Sequence, residues 1–200
     1  MELIRVPFDL EKNSQEATNP SGTVHPCSPA GTLFLGRVPG ALEPLALSVT
    51  ELLAAGITEI VCLAHGAELR VLSAEYAVAL GSKQFPFETT HFPIDRNGAP
   101  RDVAAFGAVA VSVATNLREG RNILVHGGLS FGRSTMLSAA VCCVLGSSLE
   151  CALARSMALG PAELNGAQHL ALRRLYAPGV TASDSIQPLS IGVATSAAAA

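Results

Sequence analysis

The segment Ile123–Met136, ILVHGGLSFGRSTM, constrains this chain more than any other. Asn122–His126 (NILVH) is a short apolar run bounded by turn signals, the pattern of a buried strand. It passes through a seven-residue glycine-rich loop straight into an apolar helix expected over Ser134–Leu145. A strand of this kind needs neighbours on both sides and helices on both faces. The rest of the chain supplies them. Thr32–Gly36 (TLFLG) and Glu59–Ala64 (EIVCLA) read as strands, and Glu88–Phe92 (ETTHF) as a shorter one stopped by Pro93. Between them, helical spacing covers Glu43–Ala55, with Leu45, Val49, Leu52 and Leu53 on one side and Gly56 at its end. Further helices are expected over Ala67–Leu80 and Arg101–Arg118. Ser147–Glu150 has capping-box spacing for the next, and Pro161 suits the first turn of a last one ending at Tyr176. Strands alternating with helices predict an α/β fold, with a central, mainly parallel sheet flanked by helices.

Composition narrows the function classes. The 200 residues are 49% hydrophobic and 14% charged, which suits one domain. That domain is expected over residues 31–178, after an irregular polar arm (1–30) and before a disordered Ser/Thr/Ala-rich tail (179–200). Thirteen Lys and Arg against sixteen Asp and Glu give a net charge of −3. Without a basic excess, nucleic acid is not an expected partner. The uncharged stretches Val103–Leu117 and Ser134–Leu149 are too short for a membrane span. MELIRVPFDLEKNSQ carries Glu2, Asp9 and Glu11, so it does not read as a secretory signal. Five scattered cysteines (Cys27, Cys62, Cys142, Cys143 and Cys151) make neither a disulfide framework nor a CxxC zinc site. The expectation is a cytoplasmic protein without metal or organic cofactor.

The loop itself points to an anion. Gly127, Gly128 and Gly132 are expected to let the backbone curl, with the N–H groups of Gly128, Leu129, Ser130, Phe131 and Gly132 turned inward as a nest. The following helix start adds partial positive charge, and Arg133 adds a planar two-pronged donor. The spacing is neither a Walker loop nor a dinucleotide fingerprint. It describes a phosphate or sulfate cradle.

VHGGLSFGRST resembles the signature loop of the cysteine-dependent protein tyrosine and dual-specificity phosphatases, whose pattern is His-Cys, five residues, Arg, then Ser or Thr. His126, Gly132, Arg133 and Ser134 fall in register. FPIDRNGAP, upstream, is similar to the family's general-acid loop and puts Asp95 in the acid's position. ITEIVCLAHGAELR and the closing helices SSLECALARSMALGPAELNGAQHLALRRLY resemble the cyclin-dependent kinase-associated phosphatase branch. The resemblance spans roughly residues 30–176. It implies the three-layer phosphatase fold. It also implies a structural role for His126, transition-state binding by Arg133, release of the phosphoenzyme by Ser134 and proton donation by Asp95.

One departure decides the functional expectation. The family's nucleophilic cysteine follows the histidine, and here that residue is Gly127. Cys142 and Cys143 lie more than two turns into the next helix. Without the thiolate, its repulsion of a phosphate about 4 Å away (roughly 1 kcal/mol in water, more in a drier site) is also gone. The expected function is therefore a pseudophosphatase. It would bind phosphorylated protein, a kinase among the candidate partners, through phosphotyrosine, phosphoserine or phosphothreonine without covalent turnover. Two alternatives stay open: a dual-specificity phosphatase inactivated by a substitution at 127, and an interaction domain that binds no phosphate. Taken alone, Asp95 reads better as a turn residue, and the motif downstream favours the acid's position; Arg96 and Arg101 read as solvated loop charges or as contacts to a phosphorylated substrate, and His65 and Glu68 as helix-start residues or as the pocket rim.

Overall fold

The computed structural model describes residues 1–8, 29–159 and 164–177. Five strands form one sheet: β1 (Ile4–Arg5), β2 (Leu33–Gly36), β3 (Glu59–Cys62), β4 (Glu88–His91) and β5 (Ile123–His126), in the order β1-β2-β5-β3-β4. All neighbours are parallel except β1, which runs antiparallel to β2 at the edge. The mainly parallel sheet is as expected. β1 is an addition, lying inside the segment read as an irregular arm. Two residues are too few for a period to show, and their pairing is set by the edge of β2.

The strand side chains alternate between two helical layers. Leu33, Leu35, Val61, Ile123 and Val125 face α4 (Val103–Arg118), α5 (Gly132–Val144), α6 (Leu149–Ala158) and α7 (Gly166–Tyr176), in the larger apolar cluster. Ile60, Cys62 and Leu124 face the other way. They pack with side chains from α1 (Leu45–Ala54), α2 (Gly66–Leu72) and α3 (Ala74–Ala79), among them Leu52, Leu69 and Tyr76. Every residue of β3 and β5 is buried, which accounts for their unbroken apolar runs. Gly56 closes α1 with φ +71, a conformation that glycine adopts without strain.

Four helix boundaries differ from expectation, each for a local reason. Ala67–Leu80 is two helices, because Ser73 is extended (φ −158, ψ 91) and its hydroxyl caps α3 by accepting from the Tyr76 N–H. α6 is capped by Ser148, one residue after the expected Ser147, through the Cys151 N–H. α7 starts at Gly166, where Asn165 and Gln168 form a reciprocal capping box. Pro161, expected to open that helix, lies outside the described residues. α5 begins two residues early, so Arg133 and Ser134 sit in its first turn.

β2, β3 and β5 end level: Gly36 and Cys62 both pair with His126, and His91 pairs with Cys62. The loops leaving these ends converge at one edge of the sheet, where parallel α/β sheets place their ligands. At the opposite edge Gly31 donates its N–H to Leu117 O at 2.8 Å, and a Cβ there would lie 2.0 Å from Arg121 O. Gly31→Ala must move main chain. It is expected to lower stability by about 2 kcal/mol, read as a lower denaturant midpoint with an unchanged slope.

Candidate functional site

His126 closes β5 with no exposed surface. Its Nε2 lies 2.7 Å from the Tyr76 hydroxyl, and its Nδ1 lies 3.3 Å from Gly127 O. A carbonyl only accepts, so Nδ1 carries the proton and Nε2 accepts from Tyr76. Burial pushes the imidazole down to about 4, so it is neutral at pH 7. His126 thus pins the start of the loop. Tyr76, the other half of that pin, had no signal in the sequence, since the contact spans 50 residues.

From here the chain turns through Gly127–Phe131 into α5. Gly127 and Gly128 are buried, Leu129 and Ser130 are exposed at the tip, and Phe131 is buried again beneath the Arg37 guanidinium. Neither Gly127, Gly128 nor Gly132 has positive φ. The expectation that glycine is needed to curl this loop is therefore corrected: the turn uses backbone angles open to any residue. Phe131 stands at the N-cap of α5 without a side-chain hydrogen bond. Among the described residues, no acceptor meets the N–H groups of Gly128, Leu129, Ser130 and Phe131. Ser134 is buried and donates its hydroxyl to Phe131 O at 2.9 Å, which secures the turn from inside.

Arg133 is 2% exposed. Nη1 donates to Ile94 O (3.0 Å), to Leu63 O (3.4 Å) and to Glu68 Oε2 (2.8 Å), and Nη2 donates to Glu68 Oε1 (2.7 Å). One guanidinium thus ties together the end of β3, the loop after β4, and α2. Glu68 takes the Nη1–Nη2 end of the fork. The Glu68 carboxyl is held below the usual range chiefly by its hydrogen bond to Arg133. Nε and the second hydrogen of Nη2 are left on the other edge, and Nε faces the volume above Gly127, since a Cβ built on Gly127 would lie 3.0 Å from it.

Asp95 stands in the loop after β4, next to the Ile94 carbonyl that Arg133 holds. Its carboxylate is half-exposed, bonded to Arg101 Nη2 at 3.0 Å and to His65 Nε2 at 3.0 Å. Arg101 first, and His65 second, hold its carboxyl below the ordinary aspartate range. The start of α7 braces the same loop: Asn165 Nδ2 bonds Asn97 O at 2.6 Å and Gln168 Nε2 bonds Gly98 O at 3.0 Å. Between these parts lies a cleft of about 430 Å³, lined by His65, Glu68, Val71, Arg96, Leu129 and Ser130 among others. His65 and Glu68, read chiefly as helix-start residues and alternatively as pocket rim, line this cleft, and Arg101 is the partner of Asp95.

No described cysteine stands in for the missing nucleophile. Cys62 ends β3 in register with His126, but it is fully buried and its thiol is pushed up to about 12. Burial raises Cys142 to about 11 and Cys143 to about 12, both on α5 beyond the site. Cys27 lies outside the described residues. Among the described residues, no group of three His, Cys, Asp or Glu is placed to hold a metal, and no helix is long and apolar enough to cross a membrane.

The His126 pin has a measurable consequence. An unfolded imidazole protonates near 6.5 and the folded one near 4, so the unfolded chain binds the extra proton between these values. Folding stability is expected to be full above pH 6.5 and to fall as pH drops toward 4. Tyr76→Phe leaves Nε2 buried without a donor and is expected to cost about 1–3 kcal/mol at pH 7 by urea unfolding.

Comparison with known proteins agrees with this geometry. The family model described as cyclin-dependent kinase inhibitor 3 (CDKN3) matches residues 42–154, more than half of the chain. No curated protein sequence matches at a significant level. Among solved structures, a kinase-associated phosphatase with serine in place of its catalytic-site cysteine superposes with a TM-score of 0.65. It is 25% identical, over 74% of this chain and 89% of that one. The human tyrosine phosphatase-like serine/threonine/tyrosine-interacting protein gives 0.58 at 21% identity, over 72% and 89%. Human DUSP28 gives 0.56 at 21%, over 72% and 88%. These last two speak for the fold alone. With the signature loop in register and the same three-layer fold around it, the chain belongs to the cyclin-dependent kinase inhibitor 3 (CDKN3) family, within the tyrosine and dual-specificity phosphatase superfamily.

Proposed function

We propose that this chain is a phosphatase-fold binding protein: it holds phosphorylated protein at the Gly127–Ser134 loop and does not hydrolyse it. One observation carries the reading. The loop keeps a row of unpartnered N–H groups, a helix start and the Nε edge of Arg133, yet glycine occupies the position of the nucleophile. Converging N–H donors without protein acceptors form an anion nest, and one anion satisfies several at once. Hydrolysis by the family's route needs a thiolate to attack phosphorus and an acid to protonate the leaving oxygen. Gly127 offers no nucleophile, and Asp95 is held as a carboxylate by Arg101 and His65.

The ligand is read as a phosphorylated side chain on a protein. The cleft before the loop combines an apolar wall (Val71, Leu72, Leu129) with His65 and Arg96, which suits a phosphoester on a peptide better than free phosphate. Family membership makes a kinase a reasonable partner class. Arg133 and the Gly128–Gly132 amides are assigned to the phosphate, Ser134 and His126 to holding the loop, and the domain is taken as residues 31–178 with the edge strand Ile4–Arg5 added to its sheet.

The test is paired. The unmodified chain is expected to bind phosphate in isothermal titration, to lose that binding in Arg133→Lys, and to release no product from an aryl phosphate. Gly127→Cys brings a Cβ to 3.0 Å from Arg133 Nε, a contact relieved by a few tenths of an ångström. It is expected to gain slow hydrolysis, because the new thiol stands beside Arg133 and the helix start. Hydrolysis by the unmodified chain would overturn the reading. Absence of phosphate binding would favour a plain interaction domain.

A further inference from the structure

We propose that Arg96 is a second anion point of the cleft, taking a carboxylate on a residue that flanks the phosphorylated one. The inference rests on the phosphate-binding reading above and adds which flanking sequence that site selects.

The charges around the cleft pair off and leave Arg96 over. Arg133 is paired with Glu68, at 2.7 and 2.8 Å. Asp95 is held by Arg101 Nη2 at 3.0 Å and by His65 Nε2 at 3.0 Å. The two arginines that flank Asp95 therefore differ: Arg101 is taken internally, and Arg96 is not. Arg96 is exposed and lines the cleft, and among the described residues no carboxylate pairs with it. It stands within electrostatic reach of the loop. The Glu68 carboxyl, held low chiefly by its hydrogen bond to Arg133, is lowered further by the charge of Arg96. A ligand with one carboxylate besides its phosphate thus meets a cation that has no internal competitor.

The backbone that carries Arg96 is fixed. Gly98 donates its N–H to Asp95 O at 2.8 Å, so Asp95–Gly98 is a tight turn with Arg96 at its corner. Asn97 supplies the left-handed residue of that turn, at φ +58, which asparagine accepts more readily than most side chains. On one side of the turn Ile94 O accepts from Arg133, and on the other Asn97 O and Gly98 O accept from Asn165 and Gln168. Arg96 is thereby presented at a set position relative to the loop, and little backbone order is lost when a ligand uses it. The same cleft carries Val71, 86% exposed, and Leu129, 46% exposed. These give apolar surface to the body of a peptide whose two anions lie at Arg96 and at the loop. An extended peptide advances about 3.3 Å per residue, so an immediate neighbour of the phosphorylated residue is the one that reaches the rim.

Isothermal titration tests this with two phosphotyrosine peptides that differ only in carrying glutamate or glutamine on both sides of the phosphorylated residue. At low ionic strength the unmodified chain is expected to bind the glutamate peptide about fivefold more tightly. Arg96→Gln is expected to bring that ratio to about one, and Arg96→Glu to reverse it, because the rim then repels the flanking carboxylates. An unchanged ratio in both variants overturns the inference. So does an equal loss of affinity for both peptides, which would place Arg96 on the phosphate itself. Equal binding of the two peptides by the unmodified chain overturns it as well. Inorganic phosphate titrated alongside keeps the two readings apart. If it binds while the peptide preference is absent, only this inference fails; if it does not bind, the phosphate-binding reading fails with it.

Discussion

The buried guanidinium of Arg133 is the constraint around which this site is arranged. A fully desolvated charge is costly unless it is paired and its donors are satisfied. Here the partners are the Glu68 carboxylate and the carbonyls of Leu63 and Ile94. They come from three segments that the sheet brings level at one edge. Because Leu63 follows β3 and Ile94 follows β4, the level strand ends are what let one side chain reach both. The His126–Tyr76 pair does similar work beneath the loop, and the Asn165–Gln168 cap braces the Asp95 turn from α7. The frame of this loop is thus held by its own internal bonds.

On that frame, two features bear on the proposed reading. Gly127 stands where the family resemblance places the nucleophile. Asp95 is bonded between Arg101 and His65, which hold its carboxyl below the ordinary aspartate range. The backbone at 127 and 128 does not itself demand glycine.

Much of the fold was legible because its signals are local. The runs EIVCLA and NILVH showed strands buried on both faces, and the spacing from His126 to Arg133 carried the family resemblance through a single substitution. What was not legible depended on contacts far apart in sequence. Glu68 and His65 look like ordinary residues at a helix start; only the parallel pairing of β3 with β5 brings them over the loop. Tyr76 gave no sign that it would meet His126. Ser73 could not be seen to break a helix, since its extended backbone is set by packing around Tyr76 and its own cap. The edge strand Ile4–Arg5 has no period of its own and exists by pairing with β2. Arg133 was singled out, but its ion-pair partner Glu68 was not.

The central claim is that this loop is a phosphate site without turnover. It is met most directly by a crystal structure of the unmodified chain soaked with inorganic phosphate. The account predicts a tetrahedral anion inside the Gly127–Arg133 loop. It should be bonded to Arg133 and to the main-chain N–H groups of Gly128–Phe131, with no covalent link to the protein. A loop that stays empty at saturating phosphate would contradict it.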